Sequence, residues 1–309
     1  MKTLILRGGL GNQIFQFAAA LAILEKDFSI WISVGQPRKT QDEVDLAHFT
    51  LPSNLTLDVG SNNRITKKLL SWSLVLGLKS ENSKNFRCLA AIFKVIVNSY
   101  FSILTQTQTK LISGIGVGFF DLKKWNVSSI LNGYFQTDFW ANKENVNKVL
   151  HDLRLKSPSE KLLKWIELIE LEKPIIVHVR LGDYRNEEGI GILSPNYFQR
   201  ALNNPVLDDI SKNVWVFTDE PSTIDVRDYV PSRYRTMLFE DTSLSSSETL
   251  ELMRHGLAYV ISNSTFSWWA AYLSYNRQCP RFMPTPWFKI SKSPVGIKPR
   301  EWIEVDEPF

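Results

Sequence analysis

From about residue 160 onward, apolar runs of strand length alternate with segments of helical period, and few folds accommodate that order. Residues 159–171 are helical in pattern, 175–179 form an apolar strand run, and Ser194-Pro195 opens another helix. Residues 214–217 and 237–239 are further strand runs, and Ser245-Ser246-Ser247-Glu248 is a capping box. A last run, 258–261, feeds a helix pattern containing Trp268-Trp269. This alternation predicts a parallel sheet covered by helices. In such a sheet ligands occupy the crevice beyond the carboxyl ends of the strands. Here those ends carry Arg180 and Asp183, then Thr218 and Asp219, then residues 263–267.

The last of these ends is the richest in polar groups. Residues 262–267 read Ser-Asn-Ser-Thr-Phe-Ser, with five amide or hydroxyl side chains where one is enough to cap a helix. The first turn of a helix has unpaired N–H groups and the positive end of the dipole. The excess therefore predicts an anion site, most simply for phosphate.

Residues 178–183 read His-Val-Arg-Leu-Gly-Asp. Side chains two apart in a strand share a face, so His178 and Arg180 are expected to point together. Arginine offers fixed donors and a permanent charge that suit a diphosphate. A lone strand histidine is usually a satisfied core residue, and it is the pairing with Arg180 that favours a functional role. Asp183 either orients Arg180 or acts as a base; the sequence leaves both open. The chain has no Asp-x-Asp, so no metal site is expected, and the neutralising charge should come from Arg180 and a helix end.

The first half opens with a strand at 3–6, glycines at 8, 9 and 11, a helix expected to begin near Gln13, and a second strand at 29–32. A dinucleotide fingerprint fails here. Its third glycine would fall at Ile14, and Ser33-Val34-Gly35-Gln36 lacks the acid that holds a ribose. What remains is a tight loop whose backbone can approach a ligand, with Asn12 and Gln13 aimed from the helix start. Residues 65–112 mix basic and apolar side chains and are expected to form a helical hairpin or insertion. Its basic amphipathic face suits either packing with a solvated charged side or contact with an anionic membrane. Residues 133–136 are expected to be a buried strand returning to the first sheet, and 141–160 to be the connection. Two domains follow, 1–150 and 151–309.

The net charge of +4 is a small excess on a chain of 309 residues; it suits anionic ligands or a membrane face and is only a weak argument for nucleic acid, so no nucleic-acid partner is expected. Two cysteines, Cys88 and Cys279, supply neither a disulfide framework nor a zinc cluster, which predicts a reducing cytoplasmic setting. The apolar run at the N-terminus ends at Arg7-Gly8-Gly9, too short for a signal peptide or a span, and is read as the first strand.

Four segments in order, 7–16 (Arg-Gly-Gly-Leu-Gly-Asn-Gln-Ile-Phe-Gln), 178–184 (His-Val-Arg-Leu-Gly-Asp-Tyr), Phe217-Thr218-Asp219 and 262–269 (Ser-Asn-Ser-Thr-Phe-Ser-Trp-Trp), resemble the bacterial α-1,2-fucosyltransferases of glycosyltransferase family eleven. The likeness runs from residue 7 to Trp287-Phe288, and 37–125 contribute little to it. It implies an α/β fold of GT-B type, two Rossmann-like domains facing across a cleft. It also implies inverting transfer of L-fucose from GDP-L-fucose to a galactose 2-hydroxyl of a surface glycan such as an O-antigen, with neither metal nor cofactor.

By matching position, the resemblance puts Arg180 on the β-phosphate, stabilising charge as GDP leaves, with His178 and Asp219 helping to hold the nucleotide. Asn263, Ser264, Thr265, Phe266 and Ser267 join the donor site, and Gly9, Gly11, Asn12 and Gln13 face the fucose and diphosphate. The acceptor, a galactose-containing or lipid-linked glycan, would lie nearer the first domain, and the enzyme would touch the inner membrane face from the cytoplasm. Asp183 is the candidate base. One residue departs from the family: its usual second arginine is replaced by Leu181, which alternation places on the face opposite Arg180. Two alternatives stay open, a transferase using another nucleotide sugar and a non-catalytic nucleotide-sugar or glycan-binding protein.

Overall fold

The computed structural model describes residues 2–24, 29–31, 44–53, 55–58, 64–80, 84–106, 108–113, 128–290, 293–307 and 309. The chain divides into two units, one formed by 1–156 with 294–297 and the other by 157–293 with 298–309. Each is built on a parallel sheet.

The first unit runs β1 (Lys2–Ile5), α1 (Leu10–Ile23), β2 (Ser29–Trp31), β3 (Thr56–Asp58), α2 (Arg64–Ser80), α3 (Lys84–Thr105), β4 (Thr109–Ser113), β5 (Ser128–Asn132), α4 (Asp138–Ala141) and α5 (Glu144–His151). Among the described residues its sheet has the order β3-β2-β1-β5-β4, all parallel. Leu70 of α2 and Val97 and Phe101 of α3 pack on Ile5, Leu111 and Ile130 of the sheet. These two helices therefore cover the sheet, as an apolar helix face requires.

Several expectations are corrected in this unit. Residues 65–112 are not helical throughout, because 109–113 form the edge strand β4, paired with β5 from Thr109↔Ser128 to Ser113↔Asn132. The returning strand lies at 128–132 rather than 133–136. It stops where the backbone turns through Phe135, which has a φ of 55° incompatible with a strand. Helix α1 starts at Leu10, and the stretch read as a connection contains α5, anchored by buried Val146 and Leu150. The reading of Ser33-Val34-Gly35-Gln36, and of Ile32 as the strand's last residue, falls outside the described residues.

The second unit runs α6 (Glu160–Glu172), β6 (Ile175–Val179), α7 (Pro195–Leu202), β7 (Asn213–Thr218), α8 (Val226–Tyr229), β8 (Arg235–Leu238), α9 (Ser246–Met253), β9 (Ala258–Val260), α10 (Thr265–Tyr272), β10 (Arg281–Thr285) and β11 (Ile303–Asp306). Local signals set the helices: Ser159 caps α6 by accepting from Leu162 N, and the Ser245–Glu248 capping box opens α9. All five residues of β6 are buried, as a central strand covered on both faces requires. Tyr197, Phe198, Ala201 and Leu202 of α7 belong to the same apolar core as its Ile175, Val177 and Val179.

The strand order is β11-β10-β9-β6-β7-β8, all parallel. Counted within the unit this is the dinucleotide-fold order, which reverses direction between its first strand, β6, and its fourth, β9. The first unit has the same device, with β2 and β3 on one side of β1 and β5 and β4 on the other. Ligands of such sheets sit where the order reverses, beyond the strand carboxyl ends.

Candidate active site

The reversal point of the second unit is flanked by the ends of β6 and β9, and side chains from both meet there. His178 Nδ1 and Ser262 Oγ share a 2.9 Å hydrogen bond, and Phe266 lies against the imidazole with ring centroids 5.9 Å apart. Burial, reinforced by the neighbouring Arg180 charge, holds the His178 pKa down to about 3. The ring is therefore neutral at any ordinary pH and acts as a bridge between the strand ends.

Arg180 follows the strand and lies between two carboxylates. Its Nε and Nη2 donate to Asp183 Oδ1 at 3.1 and 2.8 Å, and Nε is 3.2 Å from Asp219 Oδ2. The other oxygen of Asp219 accepts from Leu181 N at 3.0 Å, so this side chain from the end of β7 fixes the loop after β6. Gly182 makes the approach possible, because a Cβ there would lie 2.5 Å from Asp219 Oδ2. The Arg180 guanidinium also sits 5.5 Å from the centre of the Tyr184 ring. Tyr184 donates to Asn263 O at 3.2 Å, and burial pushes its pKa up to about 12, so it stays a donor. Leu181 turns away from Arg180 into the apolar core of the unit.

The polar cluster at 262–267 does not cap α10. Ser264 occupies the N-cap position but its side chain accepts no hydrogen bond from the first turn. Ser262 is committed to His178, and Asn263 Nδ2 donates to Ile190 O and Gly191 O at 3.2 and 3.0 Å. The Ser267 hydroxyl is buried and turned back onto Ser264 O at 3.2 Å. Ser262, Asn263 and Ser267 thus shape the turn while the opening N–H groups of α10 receive no side-chain cap, which is the electrostatic condition for anion binding. Asn263 Oδ1 is buried without a hydrogen-bond partner, leaving an acceptor whose burial goes uncompensated in the protein alone.

In the first unit the corresponding ends are those of β1 and β5, and they are also bridged. Arg7 Nε donates to Asn132 Oδ1 at 2.8 Å, and Gln136 Nε2 donates to Asn12 Oδ1 at 2.9 Å. Gln16 clasps the backbone of Arg7 through both N–H and C=O. Gln13 is buried; it donates to Gly8 O at 3.0 Å and accepts from Leu46 N at 3.1 Å, so it holds the loop from within. Gly8 has a φ of +71°, and a Cβ there would lie 2.8 Å from Asn12 Nδ2. Gly9, by contrast, has open space around it.

The structure thus gathers His178, Arg180, Asp183, Asp219 and 262–267 in one unit, and Gly9, Gly11, Asn12 and Gln13 in the other. Gln136 and Tyr184 are neighbours of these groups to which the sequence reading gave no role. Tyr184 closes the 178–184 segment and Gln136 follows β5, and the hydrogen-bond partners of both are remote in sequence. Among the described residues no group of three or more His, Cys, Asp or Glu comes together as a metal site.

Residues 86–303 match the family model described as "Glycosyl transferase family 11". The chain is 25% identical over 332 residues to an Escherichia coli α-1,2-colitosyltransferase, covering 98% of each. It is 23% identical over 306 residues to the Escherichia coli O-antigen biosynthesis glycosyltransferase WbnK, covering 92% of this chain and 93% of that one. Among solved structures it is similar to POFUT1 in complex with GDP, with a TM-score of 0.50, 14% identity, and coverage of 91% and 98%. A NodZ α-1,6-fucosyltransferase co-crystallised with GDP has a TM-score of 0.46, 13% identity, and coverage of 88% and 91%. The POFUT1 likeness is one of fold, the GT-B type built from two Rossmann-like units.

Proposed function

The chain belongs to glycosyl transferase family 11, and from that membership we propose that it transfers L-fucose from GDP-L-fucose to the 2-hydroxyl of a galactose in an O-antigen-like glycan, inverting the anomeric carbon without a metal or cofactor. The observation that carries the donor half is the pairing of Arg180 with the side-chain-uncapped N-terminus of α10 at one strand-order reversal. The acceptor half draws on the two Escherichia coli relatives, whose names give an α-1,2 linkage and O-antigen biosynthesis.

In the proposed reaction the bond between the fucose anomeric carbon and the β-phosphate oxygen breaks, and its electron pair stays on GDP. Positive charge grows on the sugar ring and negative charge on the diphosphate. Arg180 and the opening N–H groups of α10 are fixed before the reaction, so they stabilise that negative charge without reorganising. The acceptor hydroxyl oxygen attacks the opposite face of the anomeric carbon and its proton passes to a base. Asp183 is the candidate, since its side chain is 65% exposed beside Arg180 and so accessible to a bound hydroxyl. Asp219, with both oxygens engaged, keeps Arg180 and the loop after β6 in place.

A colitosyl donor is the second reading, favoured by the name of one relative. Calorimetric titration with GDP, then competition between GDP-L-fucose and other GDP-sugars, separates the two. Tight GDP binding that weakens in Arg180→Ala supports the site, and absence of GDP binding overturns it. Preference for a different GDP-sugar replaces the fucosyl assignment alone.

A further inference from the structure

The α2–α3 pair has more apolar surface than the first unit uses. On α3, Val97 and Phe101 are buried against the sheet, with Phe93 and Tyr100 packed beside them. The outward side of the same helix carries Leu89, Ile92, Val95, Ile96 and Ile103, with Ile92 61%, Val95 64% and Ile103 79% exposed. Residues 89, 92, 96 and 103 recur at helical spacing and form a second apolar stripe. On α2 the exposed stripe is Ile65, Lys68, Trp72, Val75 and Lys79, with Trp72 61% exposed between two lysines. A Thr66–Tyr100 hydroxyl contact of 2.9 Å and Lys79 over the Phe86 ring hold the two helices together. Contiguous exposed apolar surface of this kind marks an interaction site.

The charge identifies the occupant. Helices α2 and α3 contain seven Lys and Arg residues and no Asp or Glu, and Lys68, Lys79, Arg87 and Lys94 are exposed. A second copy in a symmetric contact would bring this same patch, cations included, against itself with no carboxylate from either helix to answer it. Residues 85–105 are long and apolar enough to cross a membrane, but their inner face is committed to the sheet. We infer that the exposed face of the α2–α3 hairpin lies on an anionic lipid surface, with its apolar stripe below the headgroups and its lysines and arginines at their level. An exposed tryptophan flanked by basic residues is the usual anchor at that depth. The site takes a bilayer surface rather than a single lipid, and it holds whichever sugar the enzyme transfers.

Flotation of the full chain with phosphatidylcholine vesicles, with and without phosphatidylglycerol, tests this at low and high salt. The chain should float with the anionic vesicles and release as salt rises. Ile92→Glu combined with Ile96→Glu should lower vesicle binding about tenfold or more while donor hydrolysis and thermal melting stay unchanged, because both positions are exposed. A polarity-sensitive fluorophore on Cys88, exposed on α3 while Cys279 is buried, should shift to the blue with anionic vesicles. Failure to float, vesicle binding unchanged in the double variant, resistance to alkaline extraction, or a lipid-free dimer that the double variant dissociates each overturns the inference.

Discussion

His178 Nδ1 lies 2.9 Å from Ser262 Oγ, and that bond joins the end of β6 to the end of β9, the two strands between which the order of the sheet reverses. It also places a neutral imidazole under the loop that carries Arg180. Ser262→Ala leaves a buried ring nitrogen without a partner and is expected to cost about 1–3 kcal/mol of stability. Urea unfolding at neutral pH measures it, and a change below a few tenths would remove the bridge as a structural element.

The same histidine sets a pH dependence. Its folded pKa, about 3, lies below its ordinary value of 6.5, so the unfolded chain binds the additional proton between those limits. Its contribution is fully present above the unfolded value and is lost as pH falls through that window, by roughly 2 kcal/mol at pH 5. His178→Gln should therefore lose less stability than the native chain between about pH 7 and 5, by that amount. Equal losses in the two proteins would show that His178 is not held neutral.

Arg180→Lys keeps a charge but not the fork that meets both Asp183 and Asp219. Turnover should fall about 100- to 1000-fold, while stability changes by less than about 1 kcal/mol because the ion pairs are partly exposed. Steady-state kinetics beside thermal melting distinguish this from a folding defect.

Asp219 and Asp183 are expected to separate. Gly182→Ala drives a methyl group toward Asp219 Oδ2, and it should reproduce the kinetic defect of Asp219→Asn, since both disturb the support of Arg180. Asp183→Asn should lower turnover by about 100-fold or more if Asp183 takes the proton. Near-normal turnover would leave it as an orienting partner of Arg180.

The second unit was legible because its signals are local. The Ser245–Glu248 box, Ser194-Pro195 and the apolar strand runs each act within one turn, and the polar strand ends follow from the period of a strand. The destination of the 262–267 side chains was not legible. Five polar groups announce a special turn, but the commitment of Ser262 to His178 and of Asn263 to the carbonyls of 190 and 191 depends on neighbours remote in sequence. In the first unit β4 was hidden behind a long run of apolar and basic residues of helix and hairpin pattern, since a short edge strand has too few alternations to stand out. Gln13 reads as a ligand-facing amide from its place after the glycines, yet its contacts with Gly8 O and Leu46 N show it bracing the loop.

The central claim is transfer of fucose from GDP-L-fucose by Arg180 and the N-terminus of α10. Release of GDP from GDP-L-fucose, followed with EDTA present and with and without a panel of β-galactosides, tests it most directly when the product linkage is read by NMR. Acceptor-dependent release that yields an α-1,2-linked fucoside is the expected result. A protein that neither binds GDP-L-fucose nor turns it over with any acceptor, or that needs added metal to do so, would contradict it.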